Sequence, residues 1–306
     1  MKIKLLVDNE CYIKTNCYQH QLLLTISKEH IVELVELDAI LSSRLTKKNH
    51  DRILSCLKLR TLDRNLQAIS QYLGDESLYV YEQDPWESFK DDSPYKGAYD
   101  RINGKLNVTS FLNTSKWWSD FLTSRNLPSK FVHMWMLPEY CTNVPEWNNR
   151  KIDVGFCGQL HSHRKDFFDK LRGHGINVAL FPQVDYAGYL SMLSNTKIYV
   201  HNEHVNWRMD EVNIRANAMW IKDVEACARG CISIRDDEEE KVNYTKGMIP
   251  ALMTYDIHGV DAGARECAKI INDVLSSPAR SADVVSSSVD YIRSAPGWKT
   301  VIEAIV

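Results

Sequence analysis

Short apolar runs alternate with longer segments of helical period from one end of the chain to the other, the signature of parallel strands joined by crossover helices. The pattern predicts strands at 1–8, 30–37, 77–83 and 107–113, with helical spacing at Leu57, Leu62, Leu66 and Ile69 between them. A further extended run at 130–137 ends at Pro138. The stretch 138–150 carries two prolines, three asparagines and no usable period, and reads as a connection between domains. The alternation then restarts with a strand at 151–158 running into a glycine turn and a helix at 164–173 closed by glycine. Strands at 176–181 and 197–201 follow, with a short helix at 186–193 between them. A polar loop at 202–214 leads to a helix at about 215–229, ended by Gly230. Strands at 231–235 and 251–255 precede an amphipathic helix at 262–275, and the tail, 283–305, reads as two helical pieces broken at Pro296-Gly297.

Two such halves predict an α/β chain of two Rossmann-like domains, 1–140 and 150–295, with a cleft between them and a last helix, 296–306, returning toward the first. The 306 residues agree, because one core rarely grows past roughly 250–300 residues before a chain splits. Apolar residues at 44% and charged residues at 25% are ordinary globular proportions, which excludes disordered, collagenous and disulfide-scaffold classes. With 37 Lys and Arg against 40 Asp and Glu, and no basic block to neutralise a run of phosphates, no nucleic-acid partner is expected. The amino terminus turns polar after three consecutive apolar residues, too few for a signal peptide, and no window approaches the roughly 20 apolar residues that span a bilayer. Eight cysteines without a Cys-x-x-Cys pair suit a reducing compartment. A cytoplasmic protein is expected, with peripheral contact at the inner membrane face left open.

Ligands in open α/β sheets bind outside the carboxyl ends of the strands, so candidate chemistry belongs in those loops. The first strand of the second half runs into Gly155-Phe-Cys-Gly158-Gln-Leu-His161-Ser-His163-Arg164. Glycine lets main-chain amides approach a ligand, the following helix offers its positive end, and Arg164 adds a charge-assisted fork to a phosphate. Together these suit a diphosphate; they also suit a tight turn with solvated basic residues. His161 and His163 in this loop, and His201 at a strand end, are placed to face a diphosphate or a leaving group, although a lone histidine is more often hydrogen-bonded structure. No His-x-x-x-His or Asp-x-Asp pair falls where ligation is suggested, though His201 and Glu203 stand two apart, so no metal site is expected.

In the first half, Tyr79-Val-Tyr-Glu82-Gln-Asp84-Pro-Trp86-Glu87 ends a strand in carboxylates, a proline and an indole. A base that activates an acceptor must lie within about 3 Å of the attacking hydroxyl, and a strand end facing a cleft is where it belongs. Asp84 is the preferred catalytic carboxylate, with Glu82 beside it and Trp86 as a stacking surface for a sugar. The alternative is a solvated loop with Trp86 as a packing anchor. Trp117-Trp118 and Met134-Trp135-Met136 read as core, and the acidic run at 236–240 as a solvated loop.

A more specific signal lies in Lys222-Asp-Val-Glu225-Ala226-Cys227-Ala228-Arg-Gly230, followed by the strand Cys231-Ile-Ser-Ile234. It resembles the C-terminal half of GT-B glycosyltransferases of the group-1, family 4-like class, whose helix reads Glu-Ala-x-Ala-x-Gly before a strand. Val154-Gly155-Phe156-x-Gly158 with Arg164 looks like the opening of that domain, and Tyr199-Val200-His201-Asn202 occupies the place of its third strand. The match covers roughly residues 150 to 275. In that family the glutamate holds the nucleotide ribose while nearby main-chain amides meet the diphosphate, so the resemblance implies donor contacts at Glu225, Ala226 and Cys227. Family members usually carry a second glutamate eight positions earlier, where this chain has Asn217. Asn217 is therefore a donor-binding candidate, and retaining stereochemistry is not carried over. GT-B enzymes generally use the helix dipole and basic side chains rather than a metal, so no cofactor is expected beyond a nucleotide diphosphate sugar as substrate.

The resemblance implies transfer of a sugar to a hydroxyl of a glycan, lipid-linked or small-molecule acceptor. Two other classes share the architecture. A nucleotide-sugar epimerase would act on the donor alone, and a non-catalytic subunit would bind without turnover, which the neutral Asn217 also fits.

Overall fold

The computed structural model describes residues 1–8, 18–42, 50–142, 144–182, 184–202, 207–209, 212–214, 221–236, 249–255, 260–295 and 297–306. They divide into two compact units. One comprises Met1–Met134, Asn206–Ala218 and Trp298–Val306; the other comprises Trp135–Val205 and Met219–Gly297.

In chain order the elements are β1 (Lys2–Val7), α1 (Tyr18–Ser27), β2 (Ile31–Glu36), α2 (Leu37–Leu41), β3 (Arg52–Ser55), α3 (Leu59–Arg64), α4 (Leu66–Leu73), β4 (Leu78–Glu82), α5 (Ala98–Lys105), β5 (Val108–Asn113), α6 (Lys116–Ser124) and β6 (Ser129–Phe131). There follow β7 (Ile152–Cys157), α7 (Ser162–Gly173), β8 (Ala179–Phe181), α8 (Tyr186–Ser194), β9 (Thr196–His201), the strands β10 (Trp207–Met209) and β11 (Val212–Ile214), α9 (Ile221–Ala228), β12 (Ile232–Asp236), β13 (Leu252–Tyr255), α10 (Val260–Ser276), α11 (Pro278–Ser294) and α12 (Lys299–Ile305).

The first unit is built on a six-stranded sheet in the order β2-β1-β3-β4-β5-β6, parallel throughout. A parallel sheet is covered on both faces, and β1 shows why its strands read as continuous apolar runs: Ile3, Leu5, Leu6 and Val7 are all fully buried. Each such side chain contributes about 1.5–3 kcal/mol of burial. Lys4 is buried in the same strand, and it keeps its charge matched by Glu76 at 3.6 Å while its ammonium lies over the Tyr72 ring. The second unit carries a five-stranded sheet, β13-β12-β9-β7-β8, also parallel. The chain therefore has the two-domain α/β architecture expected of it, with one Rossmann-like sheet per unit.

Strand order locates the functional ends. Each sheet reverses direction of growth once, between β1 and β3 in the first unit and between β7 and β9 in the second. Ligands bind outside the carboxyl ends of strands at such a switch point. The relevant loops therefore follow Val7 and Ser55 in the first unit, and Cys157 and His201 in the second.

Several elements differ from the sequence expectations. β3 is only Arg52-Ile-Leu-Ser, too short for its period to be told from a turn of helix. The run at 130–137 pairs as a strand only at Ser129–Phe131; Met134, Trp135 and Met136 are buried without extending it. Within the loop expected at 202–214 stand the antiparallel strands β10 and β11. Of the helix expected at 215–229, residues 221–228 are helical and 215–220 lie outside the described residues. Among the described residues no helix is long and apolar enough to cross a membrane.

The segment 138–149, read as a connection, is fastened to the second unit by three arginines. Arg229 donates to the carbonyls of Tyr140 and Thr142 at 2.7 and 2.9 Å, and Arg293 donates to that of Cys141. Arg150, 3% exposed, donates to Pro145, Thr196 and Arg229 carbonyls. Main-chain carbonyls in irregular structure need such donors once buried. Gly230, at φ +78°, sits where any Cβ would strike Arg150 and Val144, so only glycine fits.

Candidate functional site

In the second unit β7 ends at Cys157, and Gly158 follows with φ +154°. A Cβ there would lie 3.1 Å from the Phe156 ring and 3.2 Å from the Lys222 ammonium, so the turn is kept bare of side chain. The 12-residue α7 starts just beyond it, with His161 as its N-terminal flanking residue making no side-chain cap. His161 is exposed and stacks on His163 with ring centroids 5.8 Å apart. Arg164, on the first turn of α7, donates through Nε to the Asn202 carbonyl at 3.1 Å and through a terminal nitrogen to the Gln159 carbonyl at 2.7 Å. It thereby ties the loop after β7 to the end of β9, the two ends that flank the switch point. Its guanidinium also lies over the Phe156 ring.

Helix α9 packs Asp223 onto β9 and β12. Asp223 is fully buried and accepts from Ser233 Oγ at 3.0 Å and from Arg235 at 3.1 Å, and its Oδ1 lies 3.2 Å from His201 Nδ1. Burial alone would raise its pKa, but the charges of His201 and Arg235 outweigh it and hold the group at about 2. Burial pushes His201 the other way, below the usual histidine range, and Asp223 opposes that shift. His201 is 3% exposed, so its ring belongs to this buried knot joining α9, β9 and β12. The same helix carries Ala226 and Cys227 with no exposed surface at all, so their side chains pack and cannot reach a ligand.

Glu225 is different. It is 3% exposed; among the described residues the Tyr186 hydroxyl donates to its Oε1 at 2.8 Å, and the Tyr189 hydroxyl also favours its charged form. Burial lifts its pKa to about 7, with the Tyr186 hydrogen bond, the Lys222 charge and the Tyr189 hydroxyl pulling back toward the ordinary value. A buried carboxylate so thinly satisfied has acceptor capacity in reserve. Lys222, three residues earlier on α9, donates to the Cys157 carbonyl at 3.1 Å. The site thus gathers Gly158, Arg164, Lys222 and Glu225 around the ends of β7 and β9. Lys222 was not singled out from sequence; its signal was its spacing, one helical turn before Glu225. Asn217 and Glu203 lie outside the described residues.

In the first unit Glu82 closes β4 and is 3% exposed. Its Oε1 accepts from the main-chain N–H groups of Gln83 and Asp84 at 2.9 and 2.6 Å, and its Oε2 accepts from that of Leu59 at 2.9 Å. Both oxygens are therefore engaged in joining the loops after β3 and β4. Burial and the nearby Asp84 charge raise its pKa to about 7 against the pull of those amides. Asp84 presents a carboxylate that makes no side-chain hydrogen bond among the described residues; burial raises its pKa, while Lys58 and Arg60 draw it down. Trp86 is 4% exposed, which removes it as a stacking surface: the indole is committed to the core and has no open face for a sugar.

Strand order adds a residue to this set. Asp8 follows β1 at the switch point, accepts hydrogen bonds from the Lys58 main chain and the Gln19 side chain, and feels the Lys58 and Arg60 charges. Burial raises its pKa as well. Finding it from sequence required β3, since without that strand the reversal of order is invisible.

No protein-family model matches the chain, and no curated protein matches it. Solved structures do. The Anabaena protein HepE in complex with UDP is similar over 99% of this chain and 98% of its own, with TM-score 0.62 at 11% identity. An alpha-glucosyltransferase in complex with UDP-glucose and DNA containing an abasic site covers the same shares with TM-score 0.55 at 9% identity. The UDP-GlcNAc 2-epimerase from Neisseria meningitidis bound to UDP-GlcNAc covers 99% of both chains with TM-score 0.54 at 12% identity. The second of these is held with DNA, so the expectation of no nucleic-acid partner is not supported by this likeness. At such identities the likeness is one of fold, and the fold it shows is the two-domain α/β architecture of GT-B enzymes.

Proposed function

We propose that the chain is a glycosyltransferase that moves a sugar from a nucleotide diphosphate sugar to a hydroxyl of a glycan, lipid-linked or small-molecule acceptor. The observation that carries this reading is the convergence of a side-chain-free glycine turn, a helix start, two cations and an underused buried carboxylate at the switch point of the second unit. Glycine and the start of α7 suit a diphosphate, and cations near it stabilise the charge that grows as the diphosphate departs. Glu225 then accepts from the ribose hydroxyls, as its resemblance to the group-1, family 4-like glutamate implies. With Arg164 and Lys222 at the diphosphate, no metal is called on. Six described cysteines, all buried free thiols, suit the cytoplasm.

On the acceptor side, Asp84 is the carboxylate we assign to hold or take the hydroxyl proton; Asp8 follows β1, separated from β4 by β3 in the sheet. The raised pKa of Asp84 keeps it a better base than a solvated aspartate. Glu82 has no free oxygen for that task. The likeness to an epimerase keeps a second reading in view, in which the donor sugar is altered and not transferred. Incubating the protein with UDP-, GDP-, ADP- and TDP-sugars separates them. Release of nucleoside diphosphate, increased by hydroxyl acceptors, supports transfer; interconversion of the donor without release supports epimerisation; neither reaction with any donor contradicts both.

A further inference from the structure

The guanidinium of Arg164 is spent largely on main chain: Nε serves the Asn202 carbonyl and a terminal nitrogen the Gln159 carbonyl. Those bonds fix the loop whether or not a ligand is present. The Lys222 ammonium is in the opposite condition. It comes from α9, reaches over the end of β7, and gives one of its three N–H groups to the Cys157 carbonyl at 3.1 Å. It lies over the Tyr189 ring, 5.9 Å from its centroid, and among the described residues it forms no ion pair. It also stands where a Gly158 Cβ would be 3.2 Å distant, beside the Phe156 ring at 3.1 Å, so it is the charged group that faces the bare glycine turn.

An ammonium kept largely out of water with one neutral acceptor is costly to a fold. Burial lowers its pKa, the charges of Glu225 and Asp223 on its own helix and the Cys157 thiol on β7 hold it up, and Arg164 on α7 pushes it down. A doubly charged phosphate chain would satisfy the two remaining N–H groups and remove that cost.

Resting on the donor-binding reading above, we infer that Lys222 is the side chain that meets the donor diphosphate directly, and that Arg164 is the brace that shapes the loop around it. The roles differ in what their loss does. Without Lys222 the turn keeps its shape and loses its charge; without Arg164 the loop itself loosens.

The test is binding of UDP and of uridine to the wild-type protein, Lys222→Met and Lys222→Gln, with thermal unfolding measured alongside. Both variants should unfold close to wild type, since the one hydrogen bond they lose is the ammonium's to the Cys157 carbonyl. UDP affinity should fall about tenfold to a hundredfold, the loss of one or two charged hydrogen bonds, while uridine affinity stays unchanged. Equal UDP affinity in wild type and variants would overturn the assignment, as would an equal fall for UDP and uridine, or loss of fold in both variants, which would make Lys222 structural. If the wild-type protein binds none of UDP, GDP, ADP and TDP, the donor-binding reading fails first and this inference with it.

Discussion

Two glutamates, one in each unit, are alike in their burial and in what burial does to them. Glu82 and Glu225 are each 3% exposed, and burial raises each to a pKa of about 7. Their hydrogen bonds divide them. Glu82 holds three main-chain N–H groups, from Gln83, Asp84 and Leu59, with both oxygens in use. Glu225 holds no main-chain N–H among the described residues, only the Tyr186 hydroxyl at 2.8 Å with the Tyr189 hydroxyl beside it. A perturbed carboxylate is a sign of function only when its bonding capacity is not already consumed. The first is a staple between two loops; the second keeps acceptor capacity, which is why we assign it to donor binding.

The largest effect that sharpens this contrast is on stability. Glu82→Ala strands three buried amide donors and should cost about 3 kcal/mol or more, seen as a shifted denaturant midpoint. Glu225→Gln keeps an oxygen for Tyr186 and should move the midpoint by less than about 1 kcal/mol at neutral pH. If Glu225→Gln were the more damaging of the two, the division of roles would be reversed.

Next in size is turnover. Asp84→Asn removes a carboxylate that makes no side-chain hydrogen bond among the described residues. It should lower kcat roughly a hundredfold or more, as loss of a general base does, while leaving nucleotide affinity and unfolding unchanged. Equal loss of affinity and rate would place Asp84 with the structural residues, beside Glu82.

The smallest effect is a pH dependence. A carboxylate whose folded pKa, about 7, exceeds its ordinary 4.5 contributes its stability fully below the lower value and loses it as pH rises through the upper one. Glu225→Gln removes that loss. Its stability relative to wild type should therefore improve between pH 4 and pH 8, by on the order of 1–3 kcal/mol. A difference that stays flat across that range would mean Glu225 is not held at a raised pKa.

Much of the fold was legible because buried parallel strands are long apolar runs. β1, β4, β7, β9 and β12 carry them, and glycines mark the turns beside several. What was illegible was short or locally ambiguous: four residues of β3, strands of three residues at β10 and β11, and the extent of β6, read as a longer run. The cost of missing β3 was the switch point in the first unit, and with it Asp8. In the site, the resemblance around Glu225 named the carboxylate, and the glycine turn named Arg164. Sequence preferred Asp84 but kept Glu82 as a second catalytic candidate, because main-chain donors leave no trace in side-chain spacing. Nor could it show Trp86 turned inward, since an indole beside carboxylates suits a sugar platform and a core anchor equally.

The central claim is that Glu225 in the second unit holds the ribose of a nucleotide diphosphate sugar. The most direct measurement compares binding of UDP and of its 2′-deoxy analogue to the wild-type protein and to Glu225→Gln by titration calorimetry. The account predicts that wild type prefers UDP by about tenfold, the worth of one hydrogen bond to a charged acceptor, and that the preference largely disappears in the variant. A wild-type protein that binds both nucleotides equally, or a preference that survives intact in Glu225→Gln, would contradict it.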